Sequence, residues 1–290
     1  MRVTRLYEGG QPVISMEFFP PRTEKAAESF GDVIDKLAEN KPDYMTVTFG
    51  AGGSTRDGSY QTVKHIVDKH LPTVAYIAGY GLGPDDIREV LDSYTELGIK
   101  TIFAIRGDKP KDDDFVPHPD SFEHASDLIA FIKRHYDFTV GCAGYPEGHL
   151  EAESLQNDMA YVKQKIDNGA EYVVSQYFYD NDFFFTYVEG LRKLGVTVPV
   201  IPGIMPVYTV KMTRMLAKVC GATLTEALNE GLAAIDTEDS NAVLDFGIDT
   251  AVRQCRGLLK EGVPGLHFYT MNRSRSTTQI IHRLKRENLL

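Results

Sequence analysis

Residues 84–106 read PDDIREVLDSYTELGIKTIFAIR, and the change of period inside this stretch decides the fold. Ile87, Val90, Leu91 and Tyr94 recur at helical spacing, Pro84 suits a first turn, and Gly98 marks the stop. The chain then passes at once into T-I-F-A-I-R, a β-branched and aromatic run that is apolar on both faces. Such a run belongs to a parallel strand covered by helices. A second copy of the unit follows, in which AESLQNDMAYVKQKIDNG ends at Gly169 and EYVVSQYF begins immediately.

Working outward from these two units, eight strand candidates appear: VISMEFF from Val13, YMTVTF from Tyr44, TVAYIA from Thr73, TIFAIR from Thr101, FTVGCAGY from Phe138, YVVSQYF from Tyr172, VPVIPGI from Val198 and LHFYT from Leu266. Eight strands alternating with helices predict an α/β fold of the (β/α)₈ TIM-barrel type. No linker or low-complexity tract divides the chain, so residues 1–290 are read as a single domain. The connection from about Val207 to Gly265 is too long for one helix and predicts two or three before the last strand. The acidic KDDD around Asp112 reads as an exposed loop.

Composition narrows the partners. The chain has 290 residues, 42% hydrophobic and 25% charged, with a formal net charge of -10. This acidity argues against nucleic acid or an anionic membrane as the main partner. Cys142, Cys220 and Cys255 are odd in number and widely spaced, which fits a reducing cytoplasm better than a disulfide framework. The N-terminal MRVTRLYEGG lacks an apolar export segment, and no apolar run approaches membrane-spanning length. The eight histidines show no H-x-x-x-H pairing and the cysteines no C-x-x-C, so no metal site is expected.

In such barrels the chemistry lies at the C-terminal strand ends. Glu17 ends the first strand among Met16, Phe18 and Phe19, where burial penalises an unpaired charge; it is a candidate general acid, or equally a structural Glu bonded to barrel polar groups. Strand two offers Thr48 and a turn with Gly50, Gly52 and Gly53, which is no P-loop because no G-K-[ST] follows. Strand four ends in Arg106, Gly107 and Asp108. Here a carboxylate could accept N–H bonds from a heterocycle and favour a nearby cation, or brace the loop. Strand five presents Tyr145 and His149, strand six Gln176, and strand eight Tyr269 and Arg273. No strand-end lysine suits a Schiff base, and no G-x-S-x-G stands out.

Taken together, E-F-F-P-P, T-x-G-A, R-G-D, A-x-Y-P-E-x-H, Q-x-x-x-D, I-P-G-I-x-P and H-F-Y-T-x-N-R stand in the order and spacing of the methylenetetrahydrofolate reductases. From about Ile14 onward the sequence resembles the short microbial catalytic form of that family. The resemblance implies a (β/α)₈ barrel with a flavin, FAD or alternatively FMN, across the strand ends. It also implies NADH or NADPH as electron donor and methylenetetrahydrofolate as the small-molecule substrate that receives the hydride. Glu17 matches the acid that protonates folate N10, and Asp108 the carboxylate beside flavin and pterin. Gln176, Tyr269 and Arg273 match substrate-side residues. Thr48, Arg106, Gly107, Asp108, Ala125, Ala143, Tyr145, His149, Asp158 and Lys165 match flavin-contacting positions, Lys165 near a flavin phosphate.

Four positions depart from the family pattern. Tyr76 stands where a flavin-contacting histidine is expected, Tyr161 and Gln164 replace an Asn and an Arg at the distal end of FAD, and Val210 replaces a Phe that packs on substrate. These departures keep two alternatives open: a flavin-independent transfer straight from NAD(P)H, and a flavin subunit fed by an electron-delivering partner. A homo-oligomer or such a complex is the expected assembly. The whole site reading requires Glu17 and Asp108 to face one common cavity.

Overall fold

Eight parallel strands close into a barrel in chain order, each bonded to the next and the last to the first. The computed structural model describes residues 1–21, 23–49, 53–109 and 115–290, with the backbone alone described at 24, 25 and 53–56. Gly50, Gly52 and the KDDD segment, all singled out in the sequence, lie outside the described residues. The strands are β1 (Val13–Phe18), β2 (Tyr44–Val47), β3 (Thr73–Ala78), β4 (Thr101–Ile105), β5 (Thr139–Gly144), β6 (Tyr172–Tyr177), β7 (Val200–Ile204) and β8 (Gly265–Tyr269). The helices between and after them are α1 (Glu24–Ala38), α2 (Gly53–Asp68), α3 (Pro84–Glu96), α4 (Ala125–His135), α5 (Leu155–Asp167), α6 (Asn181–Lys193), α7 (Val210–Cys220), α8 (Glu226–Ala233), α9 (Ser240–Lys260) and α10 (Ser274–Arg286). Three helices, α7 to α9, fill the long connection before β8, the upper of the two expected numbers.

Every strand predicted from sequence forms, with ends moved by two residues at most. Thr73–Ala78 matches fully because Pro72 and Gly79 bound it. Several of the others overshoot at aromatic ends such as Phe19, Phe49 and Tyr145, where β-propensity persists after the ladder has ended.

The two faces of each strand build two cores. Ile14, Met16 and Phe18 of β1 join the outer core with helix residues such as Ile34, Leu91 and Ile280. The alternate residues, among them Val13, Tyr44, Val74, Tyr76, Phe103, Tyr172 and Ile201, fill the barrel interior. A 3-10 helix, Val3–Glu8, closes the N-terminal end. The Val3 N–H donates to Thr101 Oγ1 at 3.2 Å, and the Tyr7 and Tyr44 hydroxyls meet at 2.9 Å. With that end plugged by aromatic rings, a ligand is expected at the C-terminal end.

Among the described residues the barrel ladder shows one register irregularity. The β6–β7 register slips between Val174 and Tyr177. The Gly203 N–H donates to Ser175 Oγ at 3.0 Å, and the Ser175 carbonyl accepts from Tyr269 Oη at 2.9 Å. A local slip of this kind re-aims groups at a strand end, here the end nearest Tyr269.

Candidate active site

Glu17 shares its strand face with Val13 and Ser15 and lies opposite Thr46 on β2 and Tyr269 on β8. It is 3% exposed, and its carboxyl group is not left without partners. Tyr76 Oη donates to Glu17 Oε2 at 2.5 Å, and His267 Nε2 stands 3.5 Å from the same oxygen. His267 Nδ1 in turn meets Ser15 Oγ at 2.8 Å. Burial, followed by the neighbouring Glu17 charge, pushes the Tyr76 and Tyr269 phenols well above the ordinary tyrosine range. Both therefore stay protonated and act as donors.

The backbone of Glu17 is sutured to the turn after β8. Thr270 Oγ1 donates to the Glu17 carbonyl at 2.6 Å, and the Asn272 side chain exchanges two bonds with Phe19, at 3.0 and 2.8 Å. Met271 and Asn272 both hold left-handed backbone, with φ of 50° and 54°, a conformation that Asn tolerates better than most side chains. Asn272→Ala removes both bonds and that tolerance. It is expected to cost about 3 kcal/mol, read as a lowered denaturation midpoint.

A second centre lies between the C-terminal ends of β4 and β5. Arg106, Ala125, Ala143, Tyr145, His149, Asp158 and Lys165 all line one cavity of about 430 Å³, within the range of small-molecule and cofactor sites. Seven of the ten positions expected to contact a flavin thus come together. Thr48, Gly107 and Asp108 do not line this cavity. Tyr145 and His149 meet edge to face at 4.7 Å. Arg106 pairs with Glu151, which holds its guanidinium above the usual range and places the pair on the cavity wall.

Asp158 is 4% exposed, and its Oδ2 has no hydrogen-bond partner among the described residues. An orphaned buried acceptor in a cavity wall fits a ligand that brings hydroxyl or N–H donors. Lys165 Nζ, expected near a phosphate, donates instead to the Ala143 carbonyl at 2.5 Å. Tyr161, 54% exposed, and Gln164 border the same cavity.

Burial pushes the Asp158 carboxyl up, against the pulls of Lys165, the His149 ring and a His149 backbone bond. A carboxyl whose folded value lies above its unfolded one is ionised in the fold at a cost, and that cost disappears once pH falls below the unfolded value. Asp158→Asn is therefore expected to raise Tm at pH 7. The gain should close as pH approaches about 4, where the unfolded Asp itself protonates. Paired melting curves across that range check it.

The positions expected on the substrate side take three different places. Gln176 is half-buried, with its Oε1 accepting from the Tyr177 N–H at 3.0 Å. Tyr269 is clamped by its bond to Ser175, and its carbonyl accepts from Tyr208 Oη at 3.0 Å. Arg273 caps α10 and lays its guanidinium over the Tyr208 ring at 5.6 Å.

Glu17 and Asp108 differ in exposure. Glu17 is enclosed inside the barrel, whereas Asp108 is exposed on the loop after β4, within electrostatic reach of Arg106, Tyr145 and Cys220. The physical reason is position. Glu17 lies within a strand beside Tyr269, while Asp108 lies three residues beyond the end of β4, past Gly107 with its φ of 88°. Tyr269 has Glu17, Tyr145 and Cys220 as electrostatic neighbours and so links the two regions. Ser15, His267, Thr270 and Asn272 were not picked out in the sequence, and Tyr76 stood out there only as a departure from the family pattern, although Ser15 and Glu17 at i and i+2 already indicated a shared face.

Fold and site together define a (β/α)₈ barrel built for ligands at the carboxyl ends of its strands, with a buried carboxylate in the mouth and a polar cleft beside it. A model of the methylenetetrahydrofolate reductase family matches residues 2–285, and the chain belongs to that family. Methylenetetrahydrofolate reductase (NADH) 1 of Arabidopsis thaliana is 34% identical over 296 residues, covering 98% of this chain and 50% of the plant protein. The 5,10-methylenetetrahydrofolate reductase of Escherichia coli K12 is 33% identical, covering 95% of this chain and 91% of its own. The chain therefore spans about half of the plant relative and nearly all of the bacterial one. Among solved structures, a Clostridium thermocellum protein described as binding two copies of 5-methyl-5,6,7,8-tetrahydrofolic acid superposes with a TM-score of 0.67 at 16% identity, each chain covered to 98%. At that identity the match speaks for the fold alone.

No helix among the described residues is long and apolar enough to cross a membrane, and no group of three or more His, Cys, Asp or Glu among them could hold a metal ion.

Proposed function

We propose that this chain, acting over residues 1–290 as one catalytic unit, reduces 5,10-methylenetetrahydrofolate to 5-methyltetrahydrofolate with a bound flavin. The observation that carries the reading is the convergence of seven expected cofactor positions on one cavity that contains the orphaned Asp158 Oδ2. Arg106, Ala125, Ala143, Tyr145, His149, Asp158 and Lys165 would hold the flavin, joined by Thr48, Gly107 and Asp108 at its ring end. When bound, the flavin supplies the hydride that the one-carbon unit receives. NADH or NADPH is the expected electron source.

The protein's own part is positioning and proton transfer. Glu17 gives a proton to folate N10 as the bond from N10 to the one-carbon unit breaks, its electron pair staying on nitrogen. The cation left on the N5 side is favoured by the carboxylate of Asp108. Gln176 would bind the pterin, with Tyr269 and Arg273 on the folate side. Because Asp108 is exposed before ligands bind, it would meet the pterin as the substrate covers the mouth.

The test is a visible spectrum of the purified protein followed by release and mass determination of its flavin, then oxidation of methyltetrahydrofolate with an artificial acceptor. A yellow, active protein supports the reading, and the mass decides between FAD and FMN. A colourless, fully active protein favours direct transfer from NAD(P)H. A yellow protein that is inert until a co-purifying partner is added favours an electron-transfer subunit.

A further inference from the structure

We propose that Tyr76 is a positioning residue for proton transfer, fixing which oxygen of Glu17 is held by the protein and which is left for the substrate. This rests on Glu17 being the acid. The Tyr76 hydroxyl donates to Glu17 Oε2 at 2.5 Å, and His267 Nε2 approaches that same oxygen at 3.5 Å. Both contacts fall on Oε2, and no other described residue bonds Oε1. A carboxyl group receiving a short bond on one oxygen carries its own proton on the other, so the transferable proton sits on Oε1.

The phenol is built into this role. Its ring packs on Phe103 at 4.5 Å, Phe103 packs on Tyr172 at 5.9 Å, and the Tyr76 carbonyl accepts from Tyr94 Oη at 3.4 Å. Burial and the Glu17 charge keep it un-ionised, so it donates throughout the working pH range. The other titratable groups facing Glu17 are Tyr44 on β2 and His267 and Tyr269 on β8. Tyr269 directs its hydroxyl to Ser175, so the short bond from Tyr76 is not duplicated there.

The consequence is directional. When Oε1 loses its proton to N10, the new charge is shared with Oε2, where an aligned O–H already points. Such a bond strengthens as its acceptor ionises, which lowers the barrier to donation. The position where the family pattern leads one to expect a flavin-contacting histidine is here committed to the acid.

The experiment uses Tyr76→Phe, which keeps the ring on Phe103 and deletes only the hydroxyl. Flavin in the holoprotein is reduced with dithionite, and its reoxidation by methylenetetrahydrofolate is followed across pH. The variant is expected to be slower by about 10- to 100-fold at saturating folate, the scale of one hydrogen bond to a charged group. The alkaline fall in its rate should move to higher pH, because the lost bond favoured the ionised form. An independent readout is the infrared C=O band of protonated Glu17, identified by its absence in Glu17→Gln. This band should persist to higher pH in Tyr76→Phe.

A variant with parental rate, pH profile and band titration would overturn the proposal. So would a slowed variant whose pH profile and band match the parent, since that pattern marks a packing role. A parent protein inert toward the folate in every arm would sink the proposed function instead, and the positioning role in that reaction with it.

Discussion

Glu17→Gln is expected to slow reoxidation of reduced flavin by methylenetetrahydrofolate by about 10²- to 10⁴-fold, the usual scale of a lost general acid, while reduction of the flavin by its donor stays close to the parental rate. The substitution is nearly isosteric. The amide oxygen can still accept from Tyr76 Oη, and the Thr270 bond falls on the backbone carbonyl, which does not change. What disappears is a proton that can leave as the N10 bond breaks. Only one of the two half-reactions needs that proton, so the ratio of their rates is the diagnostic quantity. Stopped-flow traces of each half-reaction measure it. Equal loss in both would mean that Glu17 acts by holding the barrel mouth together, the structural alternative that the sequence left open.

The two outcomes can be told apart because Glu17 is well embedded. A buried carboxylate loses solvation and must be compensated by bonds. Here the compensation comes from Tyr76, His267 and, at the backbone, Thr270. Tyr76 lies on β3, His267 on β8 and Thr270 just after it, all far from position 17 in sequence, and this explains why the sequence pointed to Glu17 but not to these contacts. Position 17 announces itself as one charge in an apolar run. Tyr76 and His267 sit in runs where an aromatic or imidazole ring looks like ordinary filling, and only closure of β1 onto β8 brings His267 within reach.

The barrel itself was legible for the opposite reason. Helix stops such as Gly98 and Gly169 are local, both hold left-handed backbone with φ of 76° and 111°, and a β-branched run follows each of them. The cavity positions were legible through the resemblance. The difference in exposure between Glu17 and Asp108 was not, because the exposure of a loop carboxylate depends on where the loop turns and not on its residue type. Nor did the sequence reveal the slip between β6 and β7, since V-V-S-Q-Y gives no sign of where a ladder breaks.

That slip sets up the second large effect. Gly203→Ala is expected to destabilise the fold by about 3 kcal/mol, the upper end for overpacking, and to weaken folate binding more than flavin retention. A Cβ at position 203 would stand 2.2 Å from the Ser175 carbonyl oxygen and 2.6 Å from Tyr269 Cε2. The first neighbour is backbone in a closed barrel and cannot swing aside. The second is a ring held by its own hydroxyl bond to that same carbonyl. To admit even a methyl group, the Ser175–Tyr269 bond must break or β6 and β7 must part. Either movement displaces Tyr269, which borders Glu17, while the cavity between β4 and β5 lies on other strands. Denaturant midpoints measure the first effect. Folate titration of the oxidised protein, beside the fraction of flavin retained through gel filtration, measures the second. A Gly203→Ala protein with parental stability and folate affinity would mean that the β6–β7 slip relaxes freely, and Tyr269 would then be packing rather than part of the folate site.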